Sequence, residues 1–235
     1  MNTTMTHVPP YIARWFKELQ PLNMKEAVPA PSRASVFSAD MIPGFLSTGN
    51  LASERVGKLA QPVSDLFYRA YRHGIRHFVL FQDAHHPQAP EFNAFPPHAV
   101  HGTQESTTIP ELRALPFSNI FTVIEKNSLH PALGTRFDKW LAEHKHLNTA
   151  LVAGNCTDLC IYQLAMHLRL RANALDYQDY QDYQVIIPAN AVDTYDITEE
   201  VAEQSGSLAH PGDFFHQVFL YHMALNGIRV IRELI

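Results

Sequence analysis

The chain has little cysteine: two residues in 235, at positions 156 and 160. A pair so close together, on a turn leading into a helix, makes a poor disulfide, and this usage fits a reducing cytoplasm. An excess of basic residues is also missing. Eighteen Lys and Arg stand against 23 Asp and Glu, for a net charge of -5, which argues against nucleic acid or an anionic membrane as a partner. No apolar run approaches the roughly 18 residues of a membrane span. The opening MNTTMTHVPPYIARWFKELQ lacks the basic stretch and apolar core of a secretory signal. What is plentiful is hydrophobic residues, 46% of the chain and ample for a full core, and histidine, with 14 residues. Histidines at that number are mostly surface or supporting residues, so the number alone defines no metal site. The length fits one domain.

Residues 1–33 read as an arm, docked by Trp15, Phe16, Leu19 and Leu22 and ended by Pro29, Pro31 and Ser32. Residues 34–235 then alternate strand and helix. Strands are expected at 35–39, 78–81, 121–124, 150–153, 185–187 and 228–231. Helices are expected at 63–73, closed by Gly74, at 135–144, after Cys160, and at 214–226, stopped by Gly227. Such alternation with continuous apolar strands predicts a three-layer α/β/α fold on a mostly parallel, doubly wound sheet. The duplicated Asp-Tyr-Gln run at 176–184 reads as an exposed helix extension or loop.

In sheets of this kind ligands bind at the carboxyl ends of the strands. Asp40, Asp83, Lys126 and Cys160 each follow a different expected strand. The most telling stretch is Thr149 to Cys160, TALVAGNCTDLC, a buried strand, a turn broken by Gly154, and a helix start that Thr157 or Asp158 is expected to cap. Cys160 falls in the first helical turn, where the positive end of the helix dipole favours thiolate over thiol. A cysteine attacking a carbonyl also needs a proton shuttle and donors for the oxyanion. Asp40 can shuttle the proton, Lys126 can hold thiolate and carboxylate by charge, and the backbone N–H groups of Cys156 and Cys160 can form the oxyanion hole. The plainer alternative is a turn residue and a solvated charge.

A second constellation lies in the Pro- and His-rich loop 84–108. Asp83-Ala84-His85 is D-x-H at a strand end, and His98 follows in Pro96-Pro97-His98. One carboxylate and two imidazoles suit Zn²⁺, Fe²⁺ or Mn²⁺ with positions left open. The same spacing also suits a solvated polar loop.

Three segments resemble the isochorismatase-like cysteine hydrolase family, and within it the nicotinamidases. They are VFSADMIPGF at 36–45, VIEKNS at 123–128 followed by GTRF at 134–137, and the G-x-x-T-D-x-C turn from Gly154 to Cys160. The resemblance spans roughly residues 34–235 and makes that stretch the hydrolase domain. It implies Asp40, Lys126 and Cys160 as the catalytic triad, with a cis peptide between Asn155 and Cys156. It implies a divalent transition metal on Asp83, His85 and His98, with Glu91, seven residues before His98, favoured as a fourth ligand over His86 and His101. Phe45 and Phe95, the latter where the family carries Trp, are candidates to sandwich a flat ring, with ordinary core packing as the alternative, and Asn155 is also expected against the substrate. The implied reaction is hydrolysis of a small-molecule carboxamide, nicotinamide to nicotinate and ammonia, through a thioester. Alternatives are another carboxamide, an isochorismatase, or a non-enzymatic relative. The resemblance further implies a homo-oligomer, dimer or tetramer, to which the apolar arm can contribute.

Overall fold

The computed structural model describes residues 8–175 and 182–235. Seven strands form one sheet: β1 (Ala34–Ala39), β2 (His77–Asp83), β3 (Phe121–Lys126), β4 (Thr149–Asn155), β5 (Gln184–Pro188), β6 (Val192–Asp193) and β7 (Arg229–Ile231). The order is β3-β2-β1-β4-β5-β7, with β6 paired to β4 beyond the end of β5. Every pairing is parallel, so the crossovers run through helices that cover both faces.

Alternate residues of each strand point to opposite faces, and the two sides of the core follow from that. Val36, Phe78, Leu80 and Leu151 pack with Val63, Phe67 and Ala70 of the helix Ala60–His73. Phe37, Val79, Phe81 and Val152 pack with Phe137 and Trp140 of the helix Phe137–Glu143, and with Ile161, Leu164 and Leu168 of the helix Cys160–Ala174. These elements match the expected order closely. Gly74 closes its helix at φ 113°, a left-handed conformation that suits glycine. Only β6, two residues long, has no counterpart among the expected strands.

The N-terminal segment is sewn to the C-terminus. Leu22 N–H donates to the Glu233 carbonyl at 2.9 Å, and Ile235 N–H donates to Leu22 at 2.9 Å. Trp15 sets an edge against Tyr221 at 5.1 Å, and Leu19 and Leu22 are buried. Trp15, Leu19 and Leu22 of the arm are thus engaged within the chain, whereas Tyr11 is 54% exposed. The Asp-Tyr-Gln duplication falls largely on residues 176–181, outside the described residues; its last residues lead into β5.

The sheet order sets the place of the site. From β1 the chain winds outward through β2 and β3. It then returns to β4 on the other side of β1 and winds away through β5 and β7. The reversal lies between β1 and β4, where two adjacent crossovers depart to opposite sides and leave a crevice at the carboxyl ends.

Candidate active site

Strand register brings the polar residues together. Ala39 pairs with both Phe81 and Gly154, and Asp83 pairs with Lys126. Asp40, next after β1, turns at φ 55°. Its N–H donates to the Phe81 carbonyl at 2.8 Å, and its carbonyl accepts the Asn155 side-chain amide at 2.7 Å. The carboxylate Oδ1 accepts the Asp83 N–H at 2.8 Å, and Oδ2 lies 2.9 Å from Lys126 Nζ. Lys126 Nζ also reaches Asp83 Oδ1 at 2.5 Å and Cys160 Sγ at 3.5 Å. All four side chains are buried. The three residues of the expected triad thus meet around one ammonium, from three different strands.

Gly154 explains why the nucleophile turn tolerates no side chain there. A Cβ would fall 2.1 Å from the Ala39 carbonyl oxygen. The next peptide, Asn155–Cys156, is cis, as expected. The helix begins at Cys160 with Leu159 as its cap and no side-chain cap bond. Thr157 and Asp158, expected to cap it, do not. Thr157 Oγ1 bonds His216 Nδ1 at 2.8 Å, and Asp158 Oδ2 bonds His210 Nε2 at 2.8 Å. Tertiary partners have claimed the oxygens that the local pattern assigned to the helix end. The N–H groups of Thr157, Leu159 and Ile161 go to the carbonyls of Asp193 and Cys156. Those of Cys156 and Cys160 have no backbone partner among the described residues, which leaves them free for an oxyanion.

The electrostatics also correct the expectation of a resting thiolate. Burial, with Asp40 and Asp83 close by, pushes the Cys160 thiol well above its ordinary value despite the Lys126 charge. The helix dipole, a fractional charge, does not offset full burial. Burial and the Asp83 charge raise the Asp40 carboxyl to about 6 against the pull of Lys126. Lys126 itself is buried, yet Asp40 and Asp83 hold its pKa well above the usual lysine range. At neutral pH the resting arrangement is therefore a thiol beside a carboxylate and an ammonium. Cys156 lacks the ammonium. Burial and the Asp158 charge push it to about 12, so the two cysteines are chemically distinct.

The other half of the site is built by the loop after β2, which folds back on itself. His85 N–H donates to Ala99 and His101 N–H donates to His85, both at 2.9 Å. This sets the His85 and His98 rings 4.6 Å apart. His85 Nδ1 donates to Asn127 Oδ1 at 2.9 Å, and the same oxygen accepts the His86 N–H at 3.3 Å. His98 Nδ1 donates to the Pro96 carbonyl at 2.8 Å. Both imidazoles therefore carry their proton on Nδ1 and present an Nε2 lone pair, the arrangement that supporting oxygens impose on metal-bound histidine. His85 Nε2 is buried with no hydrogen-bond partner, 3.5 Å from Asp83 Oδ2. Ligand atoms of Asp83, His85 and His98 all lie within 4.8 Å of one another. This donor set fits Zn²⁺, Fe²⁺ or Mn²⁺. Glu91 lines the same cavity but stands outside that group. His86 Nδ1 accepts from Gln88, and the exposed His101 faces Glu125 at 3.3 Å.

Both halves open into one cavity of about 740 Å³. Phe45 and Phe95 line it, 5.4 and 6.3 Å from the His98 ring. Asn155 lines it too, with its amide committed to Asp40. Leu129, Leu159, Tyr195, Ile197 and Leu208 complete the wall, and no motif in the sequence marks them for this role. Asn127, beside Lys126 in the sequence, is readable there as a neighbour but not as the partner of His85.

A buried cysteine at a helix start, backed by an aspartate and a lysine on a parallel sheet, defines a cysteine hydrolase of the α/β class. The Isochorismatase domain model matches residues 34–210, and the chain belongs to that family of hydrolases. Nicotinamidase 1 of Arabidopsis thaliana is 27% identical over 220 residues, covering 86% of this chain and 87% of that protein. A nicotinamidase of Bacillus subtilis superimposes with a TM-score of 0.64 at 21% identity, over 85% of this chain and 99% of that one. A cysteine hydrolase of Pseudomonas syringae pv. phaseolicola 1448A gives 0.68 at 17% identity, over 91% and 92%. Among the described residues no helix is long and apolar enough to cross a membrane.

Proposed function

We propose that the protein is a cysteine amidohydrolase that converts nicotinamide to nicotinate and ammonia. The observation that carries this reading is the shared Asp83. One of its oxygens meets Lys126 of the triad, and the other faces the unpartnered His85 Nε2. A nucleophile and a cation site thus sit side by side on one cavity. The similarity to Nicotinamidase 1 supports the choice of substrate.

Cys160 Sγ attacks the carboxamide carbon as its proton passes to Asp40. The developing oxyanion lies against the N–H groups of Cys156 and Cys160. Asp40 then gives that proton to the amide nitrogen, the C–N bond breaks, and ammonia leaves a thioester on Cys160. Water loses a proton to Asp40 and attacks the thioester. The C–S bond breaks, and Asp40 returns the proton to sulfur. Lys126 stays charged throughout and keeps both carboxylates in place. A divalent cation held by Asp83, His85 and His98 would supply a Lewis-acid point for a ring nitrogen and so orient the amide. Phe45 and Phe95, which line the cavity, would flank the ring.

The volume of the cavity favours a second reading, a larger carboxamide, since about 740 Å³ is in the range that accommodates drug-sized ligands. A panel of nicotinamide, pyrazinamide and bulkier ring carboxamides, followed by ammonia release, decides. Turnover of nicotinamide at the highest kcat/KM supports the first reading. Turnover of only the bulkier amides supports the second, and no turnover of any ring carboxamide sinks both.

A further inference from the structure

Three histidines with no part in this chemistry stand together at the opposite end of the sheet. His77 opens β2, His144 follows the helix Phe137–Glu143, and His146 lies in the segment leading to β4. Their ring centroids are 5.1 Å (His77 to His144), 5.7 Å (His77 to His146) and 6.1 Å (His144 to His146) apart. Three imidazoles bound tetrahedrally at Zn–N distances of about 2.0 Å have centroids about 5 Å apart. His144 is already oriented. Its Nδ1 donates to the Trp140 carbonyl at 2.8 Å, and its ring lies flat on Trp140 at 4.0 Å, so its Nε2 lone pair is free. The rings of His77 and His146 have no hydrogen-bond partner among the described residues. Burial and the two neighbouring rings lower the pKa of His77, which keeps it in the neutral form that binds metals. Arg33 Nε holds the His146 carbonyl at 3.2 Å, which pins the backbone while the exposed ring can turn inward.

We propose that His77, His144 and His146 form a second divalent-cation site, taking Zn²⁺ or a similar borderline metal through three imidazoles, with water completing the shell. Their ring nitrogens do not lie within 4.8 Å of one another as the ligand atoms of Asp83, His85 and His98 do, so a cation here would draw the exposed His146 ring inward. β2 runs seven residues from His77 to Asp83, so this site stands roughly 20 Å from the cavity at about 3.3 Å per residue. It is independent of the amidase reading. Its cation would tie the start of β2, the end of a helix and the approach to β4 to one point. It would also sit at the carboxyl end of that helix, where the dipole favours positive charge.

The test uses the full chain without a histidine tag, stripped by chelator and dialysed against Zn²⁺ buffered at low micromolar free concentration. Zinc per chain is measured for the parent, His146→Ala and His144→Gln. Each variant is expected to bind one equivalent less than the parent, with amide hydrolysis unchanged and the zinc-dependent rise in Tm reduced. The result is a difference between parent and variant, so it reads the same whether or not the Asp83 centre fills. Melting of the zinc-free proteins verifies folding, and a variant that fails it is replaced by His146→Asn, whose side chain is exposed at the start. Equal zinc in parent and folded variants overturns the proposal.

Discussion

The two halves of the site are built on opposite plans. Around Lys126 each charge has a partner of opposite sign, and Asp40, Asp83 and Lys126 come from strand ends whose positions the sheet ladder fixes, with Cys160 at the start of the helix that follows β4. Around His85 and His98 the rings are oriented from behind, by Asn127 and the Pro96 carbonyl, while a buried nitrogen in front is left without a partner. A buried polar atom with nothing to bond is costly unless something completes it. The triad half pairs its charges as the chain folds, whereas the loop half leaves a buried nitrogen that the proposed cation would complete. The one residue common to both is Asp83.

That contrast can be broken at several points. The largest effect is expected from Lys126→Met, which leaves Asp40 and Asp83 facing each other in the core. Removing one partner of a buried pair costs about 3–5 kcal/mol, so denaturant melting should show a large drop together with loss of hydrolysis. A variant that melts like the parent would mean that Lys126 is not the keystone of the carboxylates. Next, Cys160→Ala should lower amide hydrolysis by at least about 10⁴-fold, the scale seen on removing a nucleophile, while the fold persists. Chelation or His85→Ala should empty the loop half alone. Hydrolysis should fall, yet Cys160 should still be alkylated at a comparable rate, since its three neighbours remain. If alkylation collapses as well, the halves are not separable. Asn127→Ala should weaken metal affinity by about 10–100-fold, the usual scale for a group that orients a metal-bound histidine, as read by competition with a chelator dye. The smallest effect on rate is expected from Cys156→Ala, because the oxyanion donor there is backbone. If that change proves the lethal one, the assignment of the nucleophile fails.

The same contrast explains what the sequence can and cannot convey. Apolar runs such as Ala150–Ala153 and Phe78–Phe81 mark strands buried on both faces, and a polar residue just beyond each marks the carboxyl edge. That pattern alone gathers Asp40, Asp83, Lys126 and Cys160 into one site. Local pattern fails where distant partners intervene. Thr157 and Asp158 resemble helix caps, but His216 and His210 lie 59 and 52 residues further on and outcompete the helix end. The charge state of Cys160 escapes the sequence for a related reason. Position at a helix start is visible in sequence, whereas complete burial beside two carboxylates is not. The cavity wall at Tyr195, Ile197 and Leu208 carries no spacing signal, and Leu208, at 89% exposure, looks like any surface residue until the cavity beside it is seen.

The pairing of β1 with β4 has a consequence for the life of the protein before it is folded. Asp40 and Cys160 come into contact only after a ladder closes across some 115 residues of chain, one of the longest-range and therefore slowest kinds of contact to make. Until then the thiol has neither its base nor its ammonium. A nascent or partly unfolded chain thus carries two ordinary cysteines, and the proposed capacity to form a thioester would appear late, with the central sheet, as a property of the finished molecule.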